Sequence, residues 1–364
     1  MLNRIEIRNF KSIQNVRLDL RALNVVIGPN GAGKSNLIGA FRLLDQIVQE
    51  RLQEYVARQG GAARMLHYGP KISPELTMQF DFSRNGFGYR FTLAPSASDS
   101  LFFIREETHF RGDHLPDQWR ELGVGHQEAM LPDAVRNGPR QDRKLMLQDM
   151  RKWVVYHFHD TSETSPPKLT QDVDDDRVLR PDAANLAAFL YRLQQQCPDE
   201  FRRITEHVQR IAPFFAEFRL APLAARRDKI KLEWRHRQSD AYFDGTSLSD
   251  GTLRFICLAA LLLQPRGSMP SVILIDEPEL GLHPAALTLL IEMLRGASSS
   301  SQILAATQSV TLLDHLTPEE VIVAEQVDGA STFRRLEEEA LRDWMEDYGF
   351  GKLWLKNVLG GRPR

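Results

Sequence analysis

Residues 28–35 read Gly-Pro-Asn-Gly-Ala-Gly-Lys-Ser and follow directly on the apolar run Leu-Asn-Val-Val-Ile at residues 23–27. Every fixed position of the pattern G-x-x-x-x-G-K-[ST] is met, and this pattern is typical of a phosphate-binding loop between a strand and a helix. Its glycines let backbone N–H groups turn toward phosphate oxygens, where a Cβ would obstruct the turn. A chance glycine-rich turn is the alternative, which the fit of the whole pattern and of both flanks disfavours. The stretch therefore predicts a nucleoside triphosphate site.

The side chains of this loop have separate predicted tasks. Lys34 offers a positive charge to the β- and γ-phosphates and is also a candidate catalytic residue, while Ser35 offers a hydroxyl ligand to Mg²⁺. The helix expected to begin there adds its positive N-terminal dipole. The predicted nucleotide-binding residues of the loop are Asn30, Gly31, Ala32, Gly33, Lys34, Ser35 and Asn36.

A second motif ends another apolar run. Residues 272–275 read Val-Ile-Leu-Ile and are followed by Asp276 and Glu277. An acid at the end of a buried strand is unfavourable unless it serves a cation. Asp276 suits Mg²⁺, directly or through water, and Glu277 suits the polarisation of the attacking water as a catalytic residue. A strand whose end simply reaches solvent is the alternative, and the phosphate-binding loop in the same chain favours the catalytic interpretation.

A third motif lies just upstream of this acidic strand. Residues 247–252 read Ser-Leu-Ser-Asp-Gly-Thr and open an apolar helix. Ser249 or Asp250 can be a plain N-cap of that helix. The same residues can instead form a second helix N-terminus that contacts phosphate. The residue pattern alone leaves both interpretations open.

These three motifs, in this order and at these distances, resemble the ATP-binding-cassette (ABC) ATPase heads of the SMC, RecF and OLD group. The opening Ile-Glu-Ile-Arg-Asn-Phe-Lys-Ser at residues 5–12 is typical of that group. Within it, the chain is most similar to bacterial stand-alone ATPases of the AAA_21 type. Four stretches carry that similarity, at residues 156–162, 248–254, 276–284 and 359–363.

The resemblance implies a head-to-head homodimer that forms around ATP and Mg²⁺. Ser249 and Gly251 would belong to the signature motif, which contacts the γ-phosphate held by the opposite subunit, and residues 282–283 would cross the interface. Gln308 would occupy the switch position as a catalytic residue, where the group usually has histidine. Because an amide can hydrogen-bond but cannot carry a proton charge, slow turnover is expected. Asp250 is a second departure, since it places an anion where glycine is common.

The expected fold is α/β: a P-loop NTPase of ABC-ATPase head type, with a mixed central sheet flanked by helices, an antiparallel β section and a helical lid or arm insertion. The predicted segments are 1–61 with the phosphate loop, 62–247 with the β section and the lid or arm, and 248–364 with the signature, acidic strand and switch. Strands are expected within 3–27, 76–93, 153–158, 217–221, 229–235, 271–276, 302–307 and 320–325. Helices are expected over 34–60, 182–215, 249–263 and 284–295, and one more after residue 336. Segment 111–150 is polar and loop-rich, and its pattern is uninformative.

Composition limits the classes of partner. The 364 residues are 42% hydrophobic and carry a net charge of −2, with a pI near 6.6, so there is no bulk electrostatic argument for nucleic-acid binding. Cys197 and Cys257 have neither metal-binding nor disulfide spacing. No signal peptide and no apolar run long enough to span a bilayer is visible, which favours a cytoplasmic protein without a membrane partner.

Three further candidates are less specific. Gln79 is a candidate for the glutamine that such ATPases carry between the phosphate loop and the signature. His157, His159 and Asp160 suggest a metal site, because the histidines would share one face of a strand, or else a nucleotide or dimer-interface site. A basic stretch is either a solvated face balanced by acids or a surface for nucleic-acid backbone. It comprises Arg202, Arg203, Arg210, Arg226, Arg227, Lys229, Lys231, Arg235 and Arg237.

Two functions remain open at this point. In the first, an ATP-switched dimer acts as a sensor or clamp on double-stranded DNA and controls a separately encoded effector protein in DNA repair or anti-phage defence. In the second, the chain is a DNA-independent regulatory or assembly ATPase. No heptad repeat for SMC-like arms is visible, and a nuclease domain of the kind that OLD proteins carry is not expected in the stretch after Glu277.

Overall fold

The N-terminal strands form an antiparallel sheet. The computed structural model describes residues 1–82, 86–110, 118–137, 141–337, 339, 341 and 349–360. Within these ranges, Asp142 is described by its backbone alone. The strand order of this first sheet is β2-β1-β4-β5-β6-β7. The strands are β1 (Leu2–Phe10), β2 (Ile13–Asp19), β4 (Leu76–Phe82), β5 (Gly88–Pro95), β6 (Leu101–His109) and β7 (Trp119–Gly123). Strands β1 and β4 pair with Ile5 opposite Phe80, so the opening strands and the β section share one sheet.

A second sheet is mostly parallel and has the order β18-β17-β3-β16-β15-β8. All neighbouring strands from β17 to β8 are parallel, and β18 adds an antiparallel edge. The predicted mixed central sheet is therefore confirmed. Its strands are β3 (Leu23–Ile27), β8 (Trp153–Tyr156), β15 (Val272–Asp276), β16 (Gln302–Thr307), β17 (Val321–Val327) and β18 (Ala330–Arg335).

Helices cover both faces of the second sheet and also pack on the first sheet. They are α1 (Lys34–Val48), α2 (Leu52–Arg58), α3 (Ala62–Met65), α4 (Leu131–Arg136), α5 (Gln141–Met150), α6 (Leu186–Gln196), α7 (Pro198–Ile211), α8 (Asp250–Leu262), α9 (Pro284–Ser298), α10 (Val310–Leu313) and α11 (Phe350–Leu355). No described helix is long and apolar enough to cross a membrane.

Two hydrophobic cores flank the second sheet, because successive residues of a strand point to opposite faces. Val26 of β3 joins α1 and the first sheet in one core, where Phe41 lies 6.2 Å from Phe80 between ring centroids. Val25 and Ile27 pack with helices α6, α7, α8 and α9 in the other core. Burial on both faces explains why the parallel strands read as continuous apolar runs.

Two small sheets complete the region before the third motif. Strands β10 (Phe215–Arg219), β13 (Glu233–His236) and β14 (Tyr242–Asp244) form one, and β9 (Gln171–Asp172), β11 (Pro222–Leu223) and β12 (Arg226–Ile230) form the other. The single strand predicted over 229–235 is therefore wrong, because that stretch contributes to two different sheets. The three-segment division of the chain stays a prediction.

The helix predicted over 34–60 is interrupted. Helix α1 ends at Val48, and Glu50 adopts a left-handed φ of 58° before α2 begins. The carboxylate of Glu128 accepts the backbone N–H groups of Leu52 and Gln53 at 2.8 and 3.0 Å and so caps α2. The predicted continuous helix is wrong, because Glu128 from a distant loop starts a new helix at Leu52.

The described part of segment 111–150, whose sequence pattern is uninformative, contains β7, α4 and α5. The buried carboxylate of Glu106 accepts the backbone N–H groups of Met130 and Leu131, at 2.8 and 3.1 Å, where α4 begins. Pro198 similarly splits the predicted helix 182–215 into α6 and α7. Part of the tail predicted after residue 336 lies outside the described residues, and α11 is the helix described there.

Candidate functional site

Three strand ends meet at one edge of the second sheet. Strands β3, β16 and β15 are parallel neighbours, with Ile27 paired to Thr307 and Ala306 paired to Asp276. The loops that follow these strands therefore leave the sheet at the same edge. Ligands of open parallel sheets bind outside such carboxyl ends. The phosphate-binding loop, the acidic pair and the switch residue are brought together in this way.

The phosphate-binding loop needs its glycines. Gly31 and Gly33 have φ angles of 82° and 100°, which side-chain-bearing residues rarely adopt. A Cβ on Gly33 would also clash with the hydroxyl of Ser331, and that hydroxyl lies 2.6 Å from the hydroxyl of Ser12. The side chain of Asn36, a predicted nucleotide contact, donates to the hydroxyl of Ser12 at 2.7 Å. It therefore points to the Ser12–Ser331 pair that supports the loop.

The side chain of Lys34 makes hydrogen bonds within the loop. Its ammonium group donates to the backbone carbonyls of Gly28 and Pro29, at 2.7 and 3.0 Å. Burial lowers the pKa of Lys34, while the nearby carboxylates of Glu277 and Asp276 oppose that shift. A buried ammonium beside a loop of backbone N–H groups is suited to attract phosphate oxygens.

The predicted Mg²⁺ ligands lie close together. The hydroxyl of Ser35 donates to a carboxylate oxygen of Asp276 at 3.4 Å. A hydroxyl and a carboxylate are oxygen ligands of the kind that Mg²⁺ prefers, so the donor set fits this ion. The ring Nε2 of His159 lies 2.9 Å from the backbone carbonyl oxygen of Asp276 and fixes the end of β15.

Glu277 and Gln308 contact each other directly. The side-chain amide of Gln308 donates to the Glu277 carboxylate at 2.9 Å. Glu277 has a φ of 45°, an unfavourable conformation for a residue with a side chain. Its backbone N–H donates to the carbonyl of Ala306 at 2.8 Å and holds that conformation in place. A carboxylate held by an uncharged amide can orient a water molecule beside the phosphate loop.

The signature residues occupy the first turn of α8. Ser249 is its N-cap, accepting the backbone N–H of Thr252 at 3.3 Å. The plain N-cap interpretation of this residue is thus satisfied within the chain. Gly251 packs against the carbonyl oxygen of Gly281, and a Cβ there would clash with that backbone. The first turn of α8 and loop 280–283 are therefore in close contact.

Arg254 ties three segments of the site together. Its guanidinium donates to the carbonyl oxygens of Phe158, His159 and Leu280, at 3.0, 2.7 and 3.0 Å. Helix α8, the segment after β8 and the loop after β15 are thereby joined through one side chain. Asp250 remains exposed and lies 3.9 Å from the ammonium of Lys168.

The histidines after β8 do not form a metal centre. Strand β8 ends at Tyr156, so the predicted shared strand face does not exist. His157 contacts the guanidinium of Arg42 at 2.7 Å, whereas the hydrogen bonds of Asp160 go to Ser162. Across the described residues, no group of three or more His, Cys, Asp or Glu side chains could hold a metal ion.

Gln79 lies on the first sheet rather than beside the phosphate loop. Its side-chain amide donates to Asp81 at 3.0 Å, and it lines a polar groove of about 350 Å³ together with Glu6 and Arg90. The structure thus brings Gln79 to none of the three motifs. His159, one of the candidates for a metal, nucleotide or dimer-interface site, follows the carboxyl end of β8, the strand beside β15.

Acids balance part of the basic stretch. Arg202 pairs with Asp199 at 2.7 Å, and Lys229 pairs with Asp172 at 2.5 Å. Arg235 pairs with Glu217 at 2.9 Å. Arg226 and Arg227 stay exposed on β12. The solvated, acid-balanced interpretation therefore holds for at least three of these residues.

Several residues that support the site carry no recognisable spacing signal. They are Ser12, Ser331, Arg254, Glu279 and Thr307. Arg254 and Glu279 do lie inside stretches that resemble the AAA_21 type, and that is the one sequence signal which marks them. Ser12 and Ser331 meet only because β18 returns beside the phosphate loop.

Comparisons with known proteins agree with this geometry. Residues 23–314 match the family model described as "AAA domain, putative AbiEii toxin, Type IV TA system". The chain is also 24% identical over 334 residues to the OLD nuclease of Thermus scotoductus, a match that covers 86% of this chain and 60% of that protein. The chain thus spans about three fifths of that relative's length.

Solved structures share the fold. An Smc head bound to the C-terminal winged-helix domain of ScpA superposes with a TM-score of 0.61 at 14% identity, covering 94% of this chain and 99% of that one. An Smc head with an extended coiled coil, bound to the C-terminal domain of ScpA from Pyrococcus furiosus, gives 0.57 at 14% identity, covering 95% and 98%. The predicted ABC-ATPase head fold is confirmed, as is the resemblance to the SMC and OLD group.

Proposed function

Because this chain belongs to the AAA_21 family of AAA-domain proteins, we propose that it binds ATP with Mg²⁺ and hydrolyses it slowly as a molecular switch. One observation carries the proposal. The phosphate-binding loop, the Ser35–Asp276 pair and the Glu277–Gln308 pair converge at the carboxyl edge of parallel strands. That arrangement supplies a phosphate cradle, oxygen ligands and a water-orienting carboxylate in one place.

The phosphate-binding loop does most of the binding. Backbone N–H groups between Gly31 and Ser35 face the phosphates, and the N-terminus of α1 adds a positive dipole. Within the described residues no side chain caps that N-terminus, so the first N–H groups of α1 are available to an anion. Lys34 exchanges a backbone carbonyl for a phosphate oxygen as its partner.

Glu277 and Gln308 position the water for hydrolysis. Ser35 and Asp276 would hold Mg²⁺, which would supply positive charge to the phosphates. The Glu277 carboxylate accepts a hydrogen bond from the attacking water and aligns it with the γ-phosphate. Gln308 orients Glu277 through its amide but takes up no proton, which limits turnover.

A second copy of the chain completes the site in this proposal. Ser249 and Asp250 are exposed, and Gly251 is packed on the loop that follows β15. Leu280 in that loop is 40% exposed, although it is apolar. An exposed signature turn beside an exposed apolar residue fits a surface that a partner covers. The ATP-bound form is then a head-to-head homodimer.

The biological role follows one of two routes. In the first, the dimer clamps or senses double-stranded DNA and controls a separately encoded effector protein, in DNA repair or anti-phage defence; the similarity to an OLD nuclease supports this route. In the second, the chain is a DNA-independent regulatory or assembly ATPase. The ion pairs of Arg202, Lys229 and Arg235 favour the second route, because they leave less free positive charge for phosphate backbone.

One experiment tests the function and separates the routes. ATPase rate and gel-filtration mass are measured for the wild type, Glu277→Gln and Lys34→Ala, with and without duplex DNA. We expect ATP to convert Glu277→Gln, which binds but does not hydrolyse it, into a dimer, and we expect Lys34→Ala to stay a monomer. Absence of ATP turnover in the wild type would refute the proposed ATPase activity. No DNA stimulation and no ATP-dependent dimer would refute the clamp.

A further inference from the structure

Glu279 is an acid beside the proposed site that the mechanism above does not use. One of its carboxylate oxygens accepts hydrogen bonds from the hydroxyl of Thr307 and from the backbone N–H of Gln308, the latter at 3.3 Å. Its other oxygen, Oε2, is inaccessible to solvent and has no hydrogen-bond partner among the described residues. Glu279 therefore lies between the acidic strand end and the switch turn.

This placement is costly for stability alone. A buried carboxylate oxygen without a partner loses hydration and gains nothing in exchange. Burial raises the pKa of Glu279, and the charge of Glu277 raises it further. A well-packed apolar residue would satisfy the same volume without these penalties. Stability alone therefore does not account for a carboxylate at this position.

Glu279 and Glu277 hold the same residue at two points. The backbone N–H of Gln308 points to Glu279, and its side-chain amide points to Glu277 at 2.9 Å. The hydroxyl of Thr307 also accepts the backbone N–H of Ser309 at 2.9 Å, which completes the turn after β16. Anchoring Thr307 to Glu279 thus fixes the direction in which Gln308 leaves the sheet.

The same acid begins the loop that packs on α8. The backbone N–H of Leu282 donates to the carbonyl of Glu279 at 3.0 Å, and Arg254 holds the carbonyl of Leu280 at 3.0 Å. A shift of the switch turn would therefore be passed to loop 280–283 and to the first turn of α8. Glu279 is the residue where these two connections meet.

We propose that Glu279 is a positioning residue that sets Gln308 against Glu277 for hydrolysis and links the switch turn to loop 280–283. The proposal rests on the proposed ATPase function. It predicts a defect in turnover and not in ATP binding, because the phosphate-binding loop makes no hydrogen bond to Glu279 in the described chain. A misplaced catalytic group costs on the order of 100-fold in rate.

The test is steady-state ATPase kinetics together with ATP affinity by calorimetry. Glu279→Ala is expected to lower kcat on the order of 100-fold and to leave the Kd for ATP within about threefold. Glu279→Gln keeps an oxygen that accepts both hydrogen bonds and should regain most of kcat. Thr307→Val should show the same loss as Glu279→Ala, and combining the two should add little further loss.

Glu320→Ala is the matched control, since it removes a half-buried carboxylate whose partners are Arg295 and Thr317 and not the site. Its kcat should stay at the wild-type value. A wild-type kcat in Glu279→Ala, or equal losses of kcat and ATP affinity, would overturn the inference and leave the ATPase intact. If Glu279→Ala does not fold, a normal kcat in Thr307→Val overturns it instead. A wild type that hydrolyses no ATP would refute the proposed function itself.

Discussion

Lys34 shows how one side chain serves the loop with and without a ligand. Its ammonium holds the carbonyls of Gly28 and Pro29, and phosphate oxygens would take over those hydrogen bonds. Hydrogen bonds to a charged group contribute about 1.5–3 kcal/mol each. Charged phosphate oxygens are stronger acceptors than neutral carbonyls, so Lys34 contributes more to ATP binding than to folding.

Lys34→Ala should lower ATP affinity by at least about 100-fold, since two charge-assisted hydrogen bonds are lost. The melting temperature should fall only modestly, because removal of a buried charge offsets the loss of the two hydrogen bonds and the buried apolar face of α1 is untouched. Calorimetric titration with ATP and a thermal melt measure both quantities. Lys352→Ala, on an exposed position of α11, is the control that should bind ATP normally. Unchanged ATP affinity in Lys34→Ala would contradict the assigned role.

His157 makes the fold sensitive to mild acid. Burial and the neighbouring Arg42 guanidinium, with a smaller effect of His159, lower the pKa of His157 from 6.5 to about 4, against the opposing charge of Asp182. Below pH 6.5 the unfolded chain takes up a proton here and the folded chain does not. The contribution of His157 to the free energy of unfolding is therefore fully present above pH 6.5 and is lost as the pH is lowered toward 4.

His157→Asn should flatten this part of the pH profile, because asparagine does not titrate. Urea unfolding at a series of pH values between 4 and 7 measures the slope for both proteins. The other titrating groups are common to wild type and variant and cancel in the comparison. Equal slopes in the two proteins would mean that His157 takes up its proton equally in the folded and unfolded states.

At the scale of elements, two helical glycines have opposite surroundings. Gly251, in the first turn of α8, faces the backbone carbonyl of Gly281, whereas nothing lies within 4 Å of a Cβ built on Gly296 in α9. Alanine is normally the better helix residue. The contact between α8 and loop 280–283 should reverse that preference at Gly251 but not at Gly296.

Gly251→Ala should destabilise the fold by about 1–3 kcal/mol, because backbone must move to admit the Cβ. Gly296→Ala should stabilise it by about 0.5–1 kcal/mol. Urea unfolding gives both free energies, and ATPase assays should show a loss of turnover for Gly251→Ala alone. Stabilisation by both substitutions would show that α8 and the loop are not in tight contact.

The whole molecule is the scale at which a composite site can be tested. If each ATP lies between the phosphate-binding loop of one copy and the signature of another, Lys34→Ala and Ser249→Arg should each be inactive alone. In a mixed dimer both defects fall in one site, and the second site is intact. An equimolar mixture should therefore recover activity that neither variant shows alone, up to about half of the wild-type rate, because one of the two sites in a mixed dimer is intact. An inactive mixture would show that each copy works by itself.

Much of the fold was predictable from local patterns. The parallel strands were visible because burial on both faces demands continuous apolar runs, and α1, α8 and α9 because a capping or glycine turn precedes an apolar stripe. The interruption between α1 and α2 was not, because the carboxylate that caps α2 belongs to Glu128, far along the chain. Local propensity contains no information on such a distant partner.

The sequence by itself determined that this protein has a phosphate-binding loop, an acidic strand end and a polar helix start. Each of these is a contiguous run of residues with its own local geometry. Only the tertiary structure decided which other residues serve them. The pairing of Ser12 with Ser331, the reach of Arg254 to three carbonyls and the place of Glu279 under Gln308 all join residues from separate segments. They arise from strand order and packing, which a spacing along the chain does not encode.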